Sequence, residues 1–473
     1  MDTRGELKEE IKKVKERFLK NTKDKTVQII SHFDTDGITS AAIIVQALKK
    51  LDKKFSLQIV KSLTSEFIQK LEKDSPVLFL DLASGSIESI KNSGIKEAYI
   101  IDHHELPLGE ETRIPDNIEI INPQLHKKEK LSGSGLAYLF SKEIDERNKE
   151  DAKLGILGLI GDSMEKDMDK IANEILKDSE VQKKRGPLIY PSTRPLNRTL
   201  EYCSSFFIPG VTGDIKGVLE MLREIGLTPE NGKYKSLIEL KENEMQNLIT
   251  SILLRNPGVK NEEIVGDIFL IKFFNKLEDA RELSAKINAC SRSGEPEVAV
   301  QLCLEVTSAK KRAEKIHAKY KQEIVSGLKQ AQEQDKIQGK NYVIINAQEK
   351  IKDTMAGTIA SILSNSKIYS QGTIIITMAH DTQDKTKTKI SARNVKSFSN
   401  GPENKNLRET LGEVVENLKE SEVGGHQHAA GAIIKREDEE KFINNIKEKL
   451  DIETVNVKRK VEIPPKEKQK TSE

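Results

Sequence analysis

The sequence predicts an α/β protein of two lobes. An N-terminal, largely parallel sheet with flanking helices is followed by a long connecting helix and a smaller C-terminal α/β lobe. Three observations predict this. Apolar, strand-like runs recur at Val27–Ile30, Leu57–Val60, Val77–Leu80, Ala98–Ile101 and Ile118–Ile121, with helix-like segments such as Ser65–Glu72 and Ser86–Asn92 between them; that alternation argues for parallel strands with helices on both faces. From Glu297 to about Gln334 the chain reads as one long charged helix, including Lys310-Lys311-Arg312. A second α/β pattern starts at Tyr342-Val343-Ile344-Ile345-Asn346. The expected divisions are an N-terminal helix (1–25), a first lobe (26–165), a helical insert with the connecting helix (166–336), a second lobe (337–450) and a disordered tail (451–473) rich in Lys, Glu and Pro.

Composition sets the bounds. A chain of 473 residues is long enough for two or three domains with sizeable cores. Charged residues make up 32% of it, yet the formal net charge is +2, so any basic surface for nucleic acid must be local. Cys203, Cys290 and Cys303 are far apart and form no CxxC pair, which suggests a reducing compartment. No apolar run approaches the ~20 residues of a membrane span. Residues 5–20 read as an exposed, charged helix rather than a signal peptide. The expectation is a soluble, cytoplasmic protein with no membrane partner.

The first strand-like run leads into Ser31-His32-Phe33-Asp34-Thr35-Asp36-Gly37, and a helix is expected over Ile38–Leu51 with Thr39 or Ser40 near its start. A His and two Asp thus sit on a strand-to-helix turn, at the strand end where open α/β sheets place ligands. Val77–Leu80 leads to Asp81, and Tyr99-Ile100-Ile101 leads to Asp102-His103-His104. Asp162 follows the apolar, helix-like run Leu154–Gly161. An Asp after a strand is often only a helix cap or turn former, and a lone His is more often a satisfied polar residue than a ligand. Together they differ: of eight histidines, His32, His103 and His104 all lie at strand ends with the acids. Carboxylates and imidazoles without thiolate suit Mn²⁺ or Mg²⁺ better than structural zinc. Four acids and two histidines suit two ions about 3.5–4 Å apart, as in phosphoryl-transfer sites.

His32-x-Asp34-x-Asp36, Asp81, Asp102-His103-His104 and Gly161-Asp162 resemble the four motifs of the DHH phosphoesterases. The resemblance implies that His32 and Asp34 hold one metal, that Asp36, His103 and Asp162 hold the second, and that Asp81 bridges. It implies that His104 meets the scissile phosphate and assists catalysis, while Asp102 orients His103 from behind. The His-x-Asp-x-Asp spacing is shorter than in the small-substrate members and lines up with the RecJ-like nucleases. Ser132-Gly133-Ser134-Gly135-Leu136-Ala137 matches the family's small-residue helix start, read here as a helix N-terminus packing closely on the sheet.

In the insert, Lys183-Lys184-Arg185-Gly186-Pro187 and Thr193–Arg198 read as basic loops, more often solvated than bound to a nucleic-acid backbone. Helices are expected at 214–225 and 234–254. The stretch Ala285–Pro296 resembles the Asn-Ala-x-x-Arg-x-Gly-x-Pro element of RecJ-like exonucleases, between their two lobes, with Arg292 a candidate phosphate contact. In the second lobe, helices are expected at Met355–Leu363 and Leu407–Leu418 and strands at Thr373–Met378 and Lys389–Arg393. Gly424-Gly425-His426-Gln427-His428-Ala429-Ala430-Gly431 resembles the signature of the DHH-associated domain, read here as a turn opening a helix toward an anion. Ser391 and Arg393 match that domain's Ser-x-Arg strand. The resemblance implies that Arg393, His426 and the Gly424-Gly425 backbone grip phosphate or a terminal nucleotide.

These resemblances imply a two-lobed, metal-dependent exonuclease of the archaeal RecJ-like type, working in DNA replication or repair, with Mn²⁺ or Mg²⁺ as cofactor and single-stranded DNA or RNA as substrate, threaded between the lobes. Two alternatives stay open. One is a nanoRNase or a cyclic-dinucleotide or nucleotide phosphodiesterase. The other is a replisome scaffold that binds GINS and the replicative helicase.

Overall fold

The computed structural model describes residues 3–106, 114–126, 130–203, 208–256, 261–365, 368–395 and 405–459, leaving aside the side chains of 3–5, 263, 426 and 452–459. The chain forms two compact units, Met1–Tyr320 and Lys321–Glu473.

The first unit starts with α1 (Thr3–Asn21), β1 (Val27–His32), α2 (Thr35–Lys50), β2 (Phe55–Val60), α3 (Ser65–Lys70), β3 (Val77–Leu80), α4 (Ile87–Lys91), β4 (Ala98–Ile101) and β5 (Ile118–Ile121). Helices α5 (Gly133–Ile144), α6 (Ala152–Gly161) and α7 (Lys170–Asp178) follow. The five strands form one parallel sheet in the order β2-β1-β3-β4-β5. The strand period of two divides their side chains between two cores. Ile29, Leu78, Leu80, Tyr99 and Ile101 face α1, α2, α5 and α6, while Ile30, Phe79 and Ile100 face α3 and α4. Being covered on both faces is what makes β1, β3 and β4 near-continuous apolar runs, whereas edge strand β2 is exposed at Ser56 and Gln58. Because all five run parallel, the residues after β1, β3, β4 and β5 emerge at one edge of the sheet.

The N-terminal helix, expected to be exposed, is amphipathic: Leu7, Ile11, Val14 and Phe18 are buried in the core, and Phe18 packs edge-on to Tyr99 and Phe140 at 5.1 and 5.5 Å. Spacing of three or four residues puts all four on one stripe, which the many lysines of the opposite face obscure. Helix α2 starts earlier than expected. Asp34 caps it by accepting the Gly37 N–H, so Asp36 lies in its first turn.

The unit continues through β6 (Gln182–Pro187), α8 (Leu196–Glu201), α9 (Ile215–Glu224), α10 (Glu242–Leu254), α11 (Asn261–Ile264), β7 (Val265–Phe273) and β8 (Lys276–Asp279). The basic run 183–187, expected to be a loop, is strand β6, the edge of an antiparallel sheet β6-β7-β8. There Lys184 donates to the Ile238 and Leu240 carbonyls and Lys183 pairs with Asp267. Helix α10 covers only the second part of 234–254; a short 3₁₀ turn at Leu237–Glu239 precedes it. Then come α12 (Ala280–Arg292), α13 (Pro296–Cys303) and α14 (Thr307–Glu333). The expected single helix from 297 is thus two, broken at Glu305, whose φ of 54° is left-handed. Its carboxylate accepts the Phe274 N–H and pairs with Lys153. The element at 285–296, expected between the lobes, lies in the first unit, where α12 packs against α2 and α6.

The second unit carries β9 (Ile337–Gln338), β10 (Tyr342–Gln348), α15 (Asp353–Asn365), β11 (Ile374–His380), β12 (Lys387–Asn394), α16 (Leu407–Val415), β13 (Glu422–His426), β14 (Ala429–Lys435) and α17 (Glu439–Arg459). Its sheet runs β13-β14-β12-β11-β10-β9, with β10 and β11 parallel and the other neighbours antiparallel. The glycine-rich stretch is a β-hairpin and not a helix start. In β14, Ala430, Ala432 and Ile434 are buried at every second position, the period of a strand. Helix α16 ends at Val415, short of Leu418. Helix α17 runs to Arg459, so the tail expected to be disordered from 451 begins as helix; the remainder of it lies outside the described residues. No helix of the described residues is long and apolar enough to cross a membrane.

Candidate metal centre

His32 closes β1, Asp34 caps α2, Asp36 follows in the first turn of α2, Asp81 follows β3, Asp102-His103-His104 follow β4, and Asp162 ends α6. The sheet edge brings them together as three overlapping groups, His32/Asp34/Asp81, Asp36/His103/Asp162 and Asp81/His103/His104, each with its ligand atoms within 4.8 Å of one another. His32 Nδ1 lies 3.0 Å from Asp34 Oδ2 and 3.4 Å from Asp81 Oδ2. His103 Nε2 lies 3.3 Å from both Asp81 Oδ1 and Asp162 Oδ2, and 3.9 Å from Asp36 Oδ2. Asp81 therefore stands between the two sets, one oxygen toward each. Its backbone is left-handed, at φ 57°, a conformation costly for a residue with a side chain and common at functional sites.

Asp36 is fully buried and held by the start of another helix. Gly133 N–H donates to its Oδ2 at 2.6 Å and Ser134 N–H to its Oδ1 at 3.0 Å, N-terminal amides that helix α5 leaves without partners of its own. A Cβ at position 133 would sit 2.8 Å from Asp81 Oδ1 and 3.0 Å from Asp36 Oδ2, so glycine is required there. The small-residue run expected only to pack on the sheet also binds this carboxylate.

Charge in the cluster is unbalanced. Burial first, and then Asp36 and Asp34 beside it, push the Asp81 carboxyl up to about 8. Burial and Asp36 push Asp162 up to about 6. Burial would raise Asp34 too, but the charge of His32 beside it holds it well below the usual range. Burial disfavours the imidazolium forms of His32 and His103, yet the acids around them raise both. Buried His32 Nδ1, Asp81 Oδ1 and His103 Nε2 have no hydrogen-bond partner. Buried polar atoms are rarely left so. Here they converge with carboxylates on common points, and four aspartates call for about the charge of two divalent cations. An oxygen-rich set with imidazole and no thiolate fits Mn²⁺ or Mg²⁺.

Asp102 differs from its expected role. It is buried, and it pairs with His104: Oδ1 lies 2.7 Å from His104 Nδ1 and accepts the His103 and His104 backbone N–H groups, while Oδ2 accepts the Ser84 N–H at 2.9 Å. It touches His103 only through the backbone. The two rings are neighbours, with centroids 4.5 Å apart, and the one whose Nδ1 meets Asp102 is that of His104. Burial would raise Asp102, but the hydrogen bond and charge of His104 hold it far below the usual range, and Asp102 in turn raises His104 against the effect of burial. Two further residues escaped notice in the sequence. Asn122, after β5, donates through Nδ2 to Ser84 Oγ at 2.9 Å and to the His104 carbonyl at 3.0 Å. Its position at a strand end was the available signal, but it is neither acid nor base.

The other expected contacts are divided between the two units. Arg292 ends α12 and is 3.5 Å from Tyr320 Oη. In the second unit, Ser391 and Arg393 lie on β12. Arg393 Nε donates to Ser361 Oγ at 3.0 Å and Nη1 to the Ala392 carbonyl at 2.8 Å. Gly424 and Gly425 lie in β13, and the side chain of His426 is outside the described residues.

Known proteins share this architecture. Residues 26–160 match the model of the DHH family N-terminal domain, 189–265 the DHH-CID domain and 339–451 the DHHA1 domain. An uncharacterized protein of Methanocaldococcus jannaschii is 27% identical over 95% of this chain and 98% of its own. A Bacillus subtilis protein, provisionally named an SPbeta prophage-derived single-strand DNA-specific exonuclease, is 26% identical over 57% of this chain and 50% of its own. Among solved structures, RecJ of Thermus thermophilus in complex with Mn²⁺ superposes with a TM-score of 0.56 at 18% identity, over 93% of this chain and 54% of that one. CDC45 of Entamoeba histolytica superposes with a TM-score of 0.62 at 14% identity, over 93% of this chain and 99% of that one. The chain thus spans about half the length of the exonuclease-named relative and of the Thermus protein.

Proposed function

The chain belongs to the DHH superfamily and has a RecJ-like fold, and on that premise we propose that it is a two-metal phosphodiesterase acting as an exonuclease on single-stranded DNA or RNA. One observation carries this reading: buried His32 Nδ1, Asp81 Oδ1 and His103 Nε2 lack partners while four aspartates converge on them. His32 and Asp34 would hold one divalent cation, Asp36, His103 and Asp162 the other, with Asp81 between them. Such cations supply Lewis-acid stabilisation of a phosphodiester's developing charge and a nucleophile from water at neutral pH. Helix α5 fixes Asp36 through two N–H groups, so that ligand is preorganised. Asp102 holds His104 through Nδ1, and His104 would meet the scissile phosphate and carry a proton to the leaving oxygen. Arg292 in the first unit, and Ser391, Arg393, His426 and the Gly424-Gly425 backbone in the second, would bind phosphates of the strand. The relative named for single-strand DNA exonuclease activity and the RecJ fold support a long single strand over a dinucleotide as substrate.

The test is digestion of end-labelled single-stranded DNA and RNA with and without Mn²⁺. Stepwise shortening that stops with chelator and with Asp81→Ala is expected. Turnover of dinucleotides alone would shift the reading to a nanoRNase or small-nucleotide phosphodiesterase. A second reading, a replisome scaffold for GINS and the replicative helicase, is favoured by the fold shared with CDC45. Pull-down of GINS by the Asp81→Ala variant, with no nuclease activity in the parent protein, would favour it.

A further inference from the structure

Thr35 stands between the ligands Asp34 and Asp36, and its bonds reach out of the family-matched segments. Its N–H is the first amide of α2, left without an intrahelical partner, and it donates to Asn288 Oδ1 at 3.1 Å. Its hydroxyl donates to the Ser284 carbonyl at 3.1 Å and lies 3.0 Å from Ser284 Oγ. Its methyl-bearing Cβ faces Gly161, the neighbour of Asp162, so closely that a Cβ there would lie 2.7 Å away. Thr35 is fully buried by these contacts. Ser284, Asn288 and Arg292 recur every fourth residue on α12, one face of the helix, and α12 lies in none of the three matched domains, which cover 26–160, 189–265 and 339–451.

We propose that α12 is a clamp on the metal centre: Asn288 and Ser284 seize Thr35 against Gly161 and so fix Asp34 and Asp36, at the start of α2, relative to Asp162, at the end of α6. Asn288 is a positioning residue and touches no ligand atom itself. The Asn-x-x-x-Arg spacing acquires a physical reason, since the Asn that seats the helix on the ligand turn presents Arg292 one turn further along the same face. This inference rests on the metal reading of the site.

The experiment is Mn²⁺ titration by calorimetry of the full chain, with circular dichroism and urea unfolding as folding controls. Removing a residue that orients a ligand typically weakens metal binding by about 10–100-fold, and that loss is expected for Asn288→Ala. Asn288→Asp keeps the acceptor and should keep the affinity. Thr35→Val keeps the shape and the N–H bond but loses the hydroxyl, and should fall between them even if Asn288→Ala folds poorly. Raising Mn²⁺ to saturation should restore part of the kcat that Asn288→Ala loses. Asn288→Ala binding Mn²⁺ as tightly as the parent, or Asn288→Asp binding as weakly as Asn288→Ala, overturns the clamp. A parent chain that takes up no Mn²⁺ removes the metal reading and the clamp with it.

Discussion

His103 and His104 are adjacent, yet their rings meet different partners. His103 Nε2 faces Asp81 and Asp162; His104 Nδ1 faces Asp102. His104→Ala should therefore keep Mn²⁺ binding and lose hydrolysis by the ~10²–10⁴-fold typical of an acid–base group. His103→Ala should bind Mn²⁺ weakly and be partly rescued by excess metal. A titration in which His104→Ala is the rescued variant would exchange the two roles. Asp102→Asn separates them further. Because Asp102 holds the His104 ring, this variant should slow hydrolysis without weakening Mn²⁺; a fall in metal affinity would tie Asp102 to His103. At this scale, residue types after strands, and after the apolar helix α6 for Asp162, were enough to nominate His32, Asp34, Asp36, Asp81, His103 and Asp162, because acid and imidazole are chemically conspicuous. Their supports were not. Asn288 is 253 positions from Thr35, and Asn122 and Ser84 carry no charge, so only folding reveals what they hold.

At the scale of elements, parallel strands covered on both faces announce themselves as apolar runs, and β1, β3, β4 and β5 were legible that way; edge strand β2, whose burial alternates, was legible from Leu57, Ile59 and Val60. Elements whose signal is a stripe or an alternation were not: α1 hid Leu7, Ile11, Val14 and Phe18 among lysines, and the β13–β14 hairpin hid its period behind glycines. The junction before α6 carries a further consequence. Asp151 is buried there, with Oδ1 accepting from Gln46 Nε2 at 2.5 Å and Oδ2 without a partner, and burial pushes its carboxyl up to about 7. The unfolded chain releases this proton near pH ~3.9. Between those values the folded state binds more protons than the unfolded one, so stability falls as pH rises from about 4 to about 7. Asp151→Asn lacks that dependence. Relative to the parent it should gain stability as pH rises, by at most about 4 kcal/mol for a shift near three units. Urea midpoints of the metal-free proteins at pH 5 and pH 8 test this. Parallel shifts of both proteins would mean that Asp151 is already ionised when folded at pH 5.

Over the whole molecule, every residue of the candidate metal centre belongs to the first unit, whereas the Ser391, Arg393 and Gly424-Gly425 contacts belong to the second. Metal and strand binding should then separate by measurement. A ligand bound only by the folded state stabilises it by about 2.7 kcal/mol at a hundred times its dissociation constant. Mn²⁺ should accordingly slow hydrogen exchange in β1, β3 and β4 far more than in β10–β12. Arg393→Ala should leave that protection intact. Its loss should appear in KM on oligonucleotides: a charge-assisted phosphate contact is worth about 1.5–3 kcal/mol, or roughly 10–150-fold. Arg393 also bonds Ser361 and the Ala392 carbonyl, so the variant's own unfolding midpoint must be measured beside it. A raised KM in a variant whose second unit unfolds as the parent's does assigns Arg393 to the strand. A collapsed kcat at unchanged KM assigns it to the chemistry. A normal KM and kcat with a lowered midpoint leaves it as a brace between β12 and α15.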